Sequence, residues 1–397
     1  MSQTASPSVA APAPAGTRNP LLDVLRGAAI LGTLMTNVWI FSTPGSEWSV
    51  LQGVRLPDPV ADPSAAVLSE TVFRFLADGK FLALLTVLFG AGLAVQYDSA
   101  VRRGRPWPAG YRPRAWFLLA EGTLHFVLVF AWDVLMGYAV TALLTAWLLA
   151  RSERVRGRVM WTAAGLHLVF MAVLTAGLAA SEPGGGDPDG VSDRAVDLYA
   201  HGGYLAQVSF RLQNALALRI EPVISFGLLL FLFLLGVRLY RAGAFGADAR
   251  GRRLRARLLA WGLGLGVPLN AACTLGGDDW YLLGRYAAAP LVALGYLGLI
   301  GLALDRSWLP RRLVAGLTSV GRTALSAYVL QNLLCMLACY GIGLGLAERF
   351  ADDGPWWVFG LWAAVCAVLV TGSTLWLRRF AYGPLESLQK RLIHVKS

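Results

Sequence analysis

The sequence predicts an all-α, polytopic membrane protein, and three observations support this fold class. Hydrophobic residues make up 56% of the 397-residue chain and charged residues only 15%, and the mean hydropathy of +0.55 is far above that of an ordinary soluble domain. Runs of about 20 apolar residues, each long enough as a helix to cross the roughly 30 Å hydrocarbon core, recur along nearly the whole chain. Basic and acidic residues alternate between successive runs. We therefore expect about ten transmembrane helices.

The apolar runs divide the chain into a short tail and one large membrane domain. Residues 1–20 are rich in Ala, Pro and Ser and are expected to form a disordered cytoplasmic tail. Residues 21–397 form a single multi-helix domain. Its predicted spans are residues 22–42, 77–97, 115–132, 134–150, 158–180, 220–241, 257–275, 286–304, 320–346 and 356–377.

The distribution of charge predicts the orientation of these spans. Arginines and lysines collect after the second, fourth, sixth, eighth and tenth spans, whereas the intervening loops carry mainly Asp and Glu. Because basic residues are retained in the cytoplasm during insertion, both termini are expected there. The net charge of +11 then reflects topology beside anionic lipids, and it does not indicate a nucleic-acid partner.

The first span, LLDVLRGAAILGTLMTNVWIF at 21–41, contains three polar residues that a lipid-facing helix would not keep: Asp23, Arg26 and Asn37. A charged group at mid-membrane costs roughly 2.5 to 3.5 kcal/mol, so each is a candidate functional residue. Asp23 and Arg26 lie at the predicted cytoplasmic end, and Asn37 lies about 16 Å deeper along the same face. We interpret this span as a helix that lines a substrate path.

The third span brings a carboxylate and an imidazole together, because Glu121 and His125 are one helical turn apart and Asp133 follows in a tight turn. A buried acid beside a histidine can orient the ring and take part in proton transfer. We predict His125, Glu121 and Asp133 as catalytic residues. The alternative is that Glu121 and His125 satisfy each other and bridge helices. His167, alone on the fifth span, is expected to be structural.

The ninth span has a polar face formed by Tyr328, Gln331 and Asn332, with Arg322 at its predicted cytoplasmic entrance. Amide groups seek hydrogen-bond partners in hydrocarbon, so this face must meet protein or water, and interhelical hydrogen bonds alone could explain it. The remaining predicted lining residues are Asp78 and Lys80, at the start of the second span. The four cysteines are expected to be packing residues, and no metal site is predicted.

Two predicted external segments, residues 43–76 and 181–219, are long enough to contain interfacial helices over the bundle. The glycine-rich runs at 262–266 and 341–347 lie in apolar sequence with no preceding strand and no Lys-Ser/Thr after them. We interpret both runs as close-packing surfaces inside apolar helices rather than as phosphate-binding loops.

Five motifs resemble a known family. LDVLRGAAILGTLMTN is similar to the first helix of YeiB-type bacterial membrane proteins, LADGKFLALLTVLFGAG to their second-helix motif, and GTLHFVLVFAWDVLMGYAV to their Leu-His and Asp-Ile-Leu segment. VGRTALSAYVLQN and RRFAYGPLESLQKRL resemble the C-terminal motifs of domain of unknown function 418. The resemblance covers the chain from about residue 20 to the end, with residues 230–395 matching that domain. It implies a multi-pass protein of the bacterial inner membrane.

The YeiB-type family is in turn distantly similar to transmembrane acyltransferases, including the lysosomal glucosaminide N-acetyltransferase and the O-antigen acyltransferase group. In the O-antigen type a catalytic histidine follows the first-helix arginine by eleven residues, where this chain has Asn37. An amide does not titrate, so the base would have to be His125, oriented by Glu121 or Asp133.

The resemblance implies transfer of an acyl group from cytoplasmic acyl-CoA to a glycan or lipid acceptor of the envelope. The donor would pass Arg26 and Arg322, and no bound cofactor is expected. The alternative from another class is a small-molecule or proton-coupled transporter whose path the same polar residues line. A scaffold or regulatory role is the third interpretation.

Overall fold

The structure, a computed structural model, describes residues 19–52, 57–180 and 191–394. The predicted tail lies outside these ranges except for Asn19 and Pro20. All regular secondary structure of the described ranges is helical. The α-helices are α1 (Pro20–Ser42), α2 (Ala65–Ala77), α3 (Lys80–Arg102), α4 (Arg112–Leu128), α5 (Leu135–Leu149), α6 (Glu153–Ala180), α7 (Val191–His201), α8 (Tyr204–Gln213), α9 (Ala215–Leu218), α10 (Ile220–Ile224), α11 (Phe226–Arg241), α12 (Ala249–Leu275), α13 (Tyr281–Leu283), α14 (Ala289–Asp305), α15 (Arg311–Arg322), α16 (Ala324–Cys339), α17 (Leu346–Arg349), α18 (Trp356–Trp376) and α19 (Pro384–His394). Short 3-10 helices occupy Ser46–Gln52, Ala109–Tyr111 and Asp278–Trp280, and a π-helical turn occupies Gly284–Ala288.

The central helix of the bundle is α1, which packs against α3, α15, α16 and α18. Its start is defined by Asn19, whose side-chain oxygen accepts hydrogen bonds from the backbone of Leu21 and Leu22, as expected of a helix N-cap. Glycines allow the closest approach, because a Cβ on Gly27 would lie 2.0 Å from the Leu317 carbonyl oxygen. The polar residues of α1 are therefore held against neighbouring helices rather than against lipid.

Within the described residues, five helices are long and apolar enough to cross a membrane: Pro20–Ser42, Glu153–Ala180, Ala249–Leu275, Asp278–Asp305 and Trp356–Trp376. The bent pair α15 and α16 would make a sixth span. Helices α6, α12 and α18 expose large apolar side chains, such as Leu166, Trp261 and Val368, to the surroundings. Such faces suit lipid, so the structure agrees with the prediction of an all-helical membrane protein.

The prediction of ten spans and of cytoplasmic termini stays a prediction, because several predicted spans are shorter or broken. Helix α4 has 17 residues and α5 has 15, so at 1.5 Å per residue they reach only about 22 to 26 Å. The predicted span at 220–241 is divided at Ser225 between α10 and α11. The predicted span at 320–346 bends by 92° at Thr323 and its helix ends at Cys339.

The two glycine-rich runs both serve close packing, but only one lies in a helix. Gly262 is inside α12, and a Cβ there would meet the backbone of Gly295 on α14 at 2.3 Å. The prediction that residues 341–347 continue a helix is wrong, since a turn follows α16. Gly341 nevertheless packs tightly, because its Cβ would lie 1.7 Å from the Ala200 carbonyl oxygen.

Short helices cover one end of the bundle, as predicted for the two long segments, although residues 53–56 and 181–190 lie outside the described ranges. The Gly341 backbone N–H donates to the Tyr199 carbonyl of α7 at 2.9 Å, and the Tyr204 hydroxyl of α8 donates to the Leu128 carbonyl at 2.8 Å. Helices α7 and α8 are therefore attached to the ends of α16 and α4. We call these two helices, with the 3-10 helix Ser46–Gln52, the cap.

Candidate functional site

The side chain of His125 lies at the meeting point of three helices. It is 3% exposed, and its Nε2 atom is 3.1 Å from the Asn332 amide nitrogen of α16. The side-chain oxygen of Asn332 in turn accepts a hydrogen bond of 3.1 Å from the Asn37 amide of α1. Residues widely separated in sequence thus form one buried polar chain, which we call the His125 chain.

An aromatic residue and a carboxylate extend the His125 chain towards the turn after α4. The Tyr328 ring stacks on the imidazole with a centroid distance of 5.3 Å, and its hydroxyl donates to Asp133 Oδ1 at 3.4 Å. The other Asp133 oxygen accepts from the backbone N–H groups of Leu135 and Met136, so Asp133 also caps α5. The tight turn 129–134 therefore connects the helix that carries His125 to the carboxylate of Asp133.

A glycine permits this arrangement. A Cβ on Gly122 would lie 2.7 Å from Asp133 Oδ2 and 2.7 Å from the Met136 backbone nitrogen, both too close for any real Cβ. Gly122 therefore lets Asp133 approach α4, one turn from His125.

Several buried polar atoms around His125 have no hydrogen-bond partner among the described residues. Glu121 Oε1 is 3.8 Å from His125 Nδ1, which is too long for a hydrogen bond. Glu121 Oε2, His125 Nδ1 and both polar side-chain atoms of Gln331 are buried and unpartnered. The interpretation that Glu121 and His125 fully satisfy each other is not supported by this geometry. Unsatisfied buried groups are rare and call for an explanation, of which a functional role is one.

A cavity adjoins the His125 chain at Asp133. Its empty volume is about 540 Å³, including space open to solvent, and it lies between α3, α5, α11 and the π-helical turn. The polar groups of its wall are Thr86, Asp133, Tyr138, Glu221, Ser225, Arg285 and Tyr286. The Glu221 carboxylate accepts hydrogen bonds from Arg285 at 3.1 Å and from the Tyr286 hydroxyl at 2.6 Å. We call this space the Asp133 cavity.

The cap contains a buried ion pair that the sequence reasoning missed. Glu47 and Arg211 are both 0% exposed, and Arg211 Nε donates to Glu47 Oε2 at 2.8 Å. The same oxygen accepts from the Tyr199 hydroxyl at 2.6 Å, while Oε1 accepts from the Ala131 N–H at 3.1 Å and from the Tyr340 hydroxyl at 3.3 Å. Both carboxylate oxygens are therefore saturated.

The neighbours of Glu47 are held in fixed positions around its carboxylate. Ser46 has a positive φ of 44°, an uncommon conformation outside glycine, and its hydroxyl is 2.6 Å from that of Tyr340. Burial and the nearby Glu47 carboxylate hold the pKa of Tyr199 well above its ordinary value, so Tyr199 stays a hydrogen-bond donor. Since Ala131 lies in the 129–134 turn, Glu47 attaches the cap to the turn that carries Asp133.

The remaining predicted lining residues form two separate groups. Asp23 and Arg26 pair at 3.4 Å at the start of α1. Arg322 lies at that same end, since a Cβ on the preceding Gly321 would meet the Asp23 carbonyl at 1.8 Å. Asp78 and Lys80 line a different cavity. The structure thus brings Asn37, Tyr328 and Asn332 to His125, Glu121 and Asp133. Gln331 follows them on α16 as the buried neighbour of Asn332 in sequence, and the other five residues lie elsewhere.

The buried histidine of α6 behaves differently from His125. His167 Nε2 is 3.1 Å from the Tyr286 carbonyl oxygen, whereas His125 Nε2 contacts a side-chain amide. His167 Nδ1, like that of His125, is buried without a hydrogen-bond partner among the described residues. The structural role of His167 stays a prediction.

Residues 239–396 match the family described as "Protein of unknown function (DUF418)". This C-terminal region is therefore similar to the DUF418 family. It is 28% identical over 398 residues to the uncharacterized protein YeiB of Escherichia coli (strain K12), covering 94% of this chain and 96% of that protein. The predicted resemblance to YeiB-type proteins is therefore confirmed.

The similarity extends to proteins of other bacteria. The chain is 26% identical over 388 residues to the uncharacterized protein YxaH of Bacillus subtilis (strain 168), covering 93% of this chain and 92% of that protein. It is 24% identical over 365 residues to an uncharacterized 39.9 kDa protein of Bacillus acidopullulyticus, covering 92% and 90%. The DUF418 match contains Asn332 and Tyr328 but begins after His125, so the His125 chain joins this region to the rest of the chain. None of the three descriptions names an activity.

Proposed function

We propose that this protein transfers an acyl group from acyl-CoA to a hydroxyl or amine acceptor of the cell envelope, with His125 as the general base. The observation that carries the proposal is the convergence of a buried imidazole, two carboxyl groups and two amides from α1, α4 and α16 beside a cavity. Buried ionisable groups within a membrane bundle are functional candidates because burying them is costly. The distant resemblance to membrane acyltransferases gives the reaction class.

The geometry of the imidazole suits a base in its neutral form. If the Asn332 amide donates to Nε2, the ring proton is on Nδ1 and is directed to the Glu121 carboxylate. Nε2 then carries a lone pair, and an acceptor hydroxyl could take the place of the Asn332 amide. In the transfer step His125 removes the hydroxyl proton as the oxygen attacks the thioester carbonyl carbon. The carbon–sulfur bond then breaks, and His125 returns the proton to the thiolate, which leaves as CoA thiol.

The two ends of α1 divide the proposed roles. Arg26 and Arg322 lie at the end where the cytoplasmic donor is expected, and guanidinium groups suit its phosphates. Asn37 lies eleven residues further along α1, in the His125 chain. The Asp133 cavity supplies space for the acceptor, and Tyr328 links the Asp133 carboxylate in its wall to the imidazole. The cytoplasmic termini and the bacterial inner membrane are part of this proposal.

Two histidines of similar burial allow a matched test. Purified protein would be incubated with labelled acetyl-CoA and with membranes from cells that lack the gene, and the label followed into lipids and glycans by mass spectrometry. We expect His125→Gln to lower the transfer rate at least about 100-fold, the usual contribution of a general base. His167→Gln, which also changes an imidazole with one Nε2 contact, should leave the rate within about twofold.

The transport alternative makes a different prediction in the same material. A proton-coupled transporter would leave acetyl-CoA unconsumed and would show proton movement in proteoliposomes that depends on His125. That result, or full acyl transfer by the His125→Gln variant, would falsify the enzymatic proposal.

A further inference from the structure

A second cavity shares Arg285 with the wall of the Asp133 cavity. Its empty volume is about 450 Å³, including space open to solvent, and its walls come from α2, the start of α3, α12 and the π-helical turn. The charged side chains of its wall are Arg74, Asp78, Lys80 and Arg285. We call it the Lys80 pocket. Among the described residues that line it, three are cations and one is a carboxylate.

Of these three cations, Lys80 is the one for which the described residues provide no ion pair with a carboxylate. It is 2% exposed, and its Nζ atom donates to the Asn270 side-chain oxygen at 2.5 Å. The Asn270 amide nitrogen donates to the Gly284 carbonyl at 2.9 Å, which fixes the oxygen towards Lys80. The ion pairs of the described residues do not include Lys80. Lys80 Nζ also lies over the Phe75 ring, 4.7 Å from its centroid, so these two contacts of the buried ammonium group are with uncharged groups.

The position of Lys80 in the chain raises the free-energy cost of keeping its ammonium group charged. It is the first residue of α3, where the partial positive charge of the helix N-terminus repels a cation. The N-cap residue is Gly79, which has no side chain to accept from the first N–H groups. Gly79 has a φ of 75°, and a Cβ there would lie 2.6 Å from the Arg285 carbonyl. Burial and the helix dipole both disfavour a lysine here. The dipole and the ammonium charge both favour a nearby anion.

The other two cations are already paired. Arg74 Nε is 2.7 Å from Glu70, and its guanidinium lies over the Trp39 ring at 4.3 Å. Arg285 is 3.1 Å from Glu221. Arg285 lines both cavities, so a molecule bound at Lys80 would extend past it to Asp133.

We propose that the Lys80 pocket binds a phosphate group, with the Lys80 ammonium as its main contact and the Arg74 and Arg285 guanidinium groups in the same wall. Lysine is a common phosphate-binding residue, acting as a point charge. As a consequence that rests on the proposed function, the acyl acceptor carries this phosphate and is anchored by it, with its reacting group in the Asp133 cavity. The phosphate comes from a lipid headgroup or from a water-soluble phosphate ester, which the test distinguishes.

The binding site can be tested without any activity measurement. Purified protein in dodecyl maltoside, an uncharged detergent, would be titrated with inorganic phosphate and, separately, with dihexanoyl phosphatidic acid by isothermal calorimetry. We expect saturable binding to the wild type. Asn270→Asp should weaken it at least about tenfold, because the introduced carboxylate neutralises Lys80 and repels phosphate. Lys390→Gln, which removes an exposed lysine on α19, should bind as the wild type does.

Asn270→Asp is chosen because it preserves side-chain size and gives Lys80 an ionic partner, so the protein should unfold at or above the wild-type temperature. Tighter binding of phosphatidic acid than of inorganic phosphate would support the site and identify a lipid, while equal binding would support it with a soluble phosphate. An absence of saturable binding to both probes, or unchanged binding by a folded Asn270→Asp variant, overturns the proposal. Phosphate binding without acyl transfer would overturn only the proposed reaction.

Discussion

Two buried polar regions lie close together in this protein, and they differ in how fully their groups are paired. Around Glu47, both carboxylate oxygens accept two hydrogen bonds each, from Arg211, Tyr199, Tyr340 and the Ala131 backbone, although Arg211 Nη2 has no partner among the described residues. Around His125, Nδ1 of the imidazole, one oxygen of Glu121 and the whole amide of Gln331 have no partner among the described residues.

Under the proposed function, this difference separates a region that holds the fold from one that is arranged for chemistry. A buried ion pair is costly to break, because removing one partner leaves a desolvated charge. An unsaturated cluster has already lost that hydrogen-bond energy, and a bound substrate can recover it. We infer that Glu47 and Arg211 fix the cap and the 129–134 turn, and that this rigidity keeps Asp133 in place for the His125 chain.

The largest effect should follow from uncoupling the cap. Glu47→Gln retains the size of the side chain but leaves the Arg211 cation, which is 0% exposed, without a counter-charge. We expect a loss of about 3 to 5 kcal/mol in unfolding free energy, the usual cost of breaking a buried pair. Denaturant unfolding in detergent micelles, followed by tryptophan fluorescence, measures it.

The matched control is an exposed pair between the cap and α17. Glu348 Oε1 is 3.0 Å from His201 Nε2, with side chains 52% and 64% exposed. Glu348→Gln should change the unfolding free energy by less than about 1 kcal/mol, since solvent screens such pairs. Equal effects of Glu47→Gln and Glu348→Gln would contradict the structural role of the Glu47 cluster.

The sequence predicted most of the His125 chain because membrane helices make polar residues conspicuous. Helical spacing placed Tyr328, Gln331 and Asn332 on one face, and the same argument placed Glu121 beside His125. Which helices face one another is not encoded in such local patterns. The contact of Asn332 with both Asn37 and His125 depends on the bend at Thr323 and on the glycine contacts of α1, which only the folded structure supplies.

The Glu47–Arg211 ion pair and the role of Arg285 were missed for a different physical reason, although the covering helices and Lys80 itself were predicted. Acidic residues such as Glu47 were interpreted as topology signals, because charge in a predicted external loop normally faces water. The sequence did contain one usable signal, namely basic residues in predicted external segments, where the positive-inside trend disfavours them. These residues are Arg211, Arg219 and Arg285. All three donate hydrogen bonds to carboxylate or carbonyl oxygens of the site walls.

A smaller effect is expected within the His125 chain itself. Asn332→Ala removes both the hydrogen bond from Asn37 and the contact with His125 Nε2, which leaves two more buried groups unpaired. We expect a loss of about 1 to 3 kcal/mol. Asn37→Ala breaks only one of these contacts and should cost less.

A double-mutant cycle of Asn37→Ala and Asn332→Ala, measured by the same unfolding assay, tests whether the two amides are coupled. The two losses should sum to more than the loss of the double variant, because both variants delete the same hydrogen bond. Additive losses would mean that this hydrogen bond contributes nothing to stability, and the His125 chain would then not be continuous.

The smallest effect on stability should come from Gln331, and it is the sharpest test of the contrast between the two regions. Gln331 is 0% exposed and neither polar side-chain atom has a partner. Gln331→Leu replaces an unpaired amide by an apolar side chain of similar volume, so the unfolding free energy should stay within about 1 kcal/mol of the wild type or rise. The same variant should lower the rate of acyl transfer, because the proposed function gives the Gln331 amide a hydrogen bond to the substrate. A stability loss as large as that of Glu47→Gln would show that Gln331 is paired in the folded protein, and the two regions would then serve the same structural purpose.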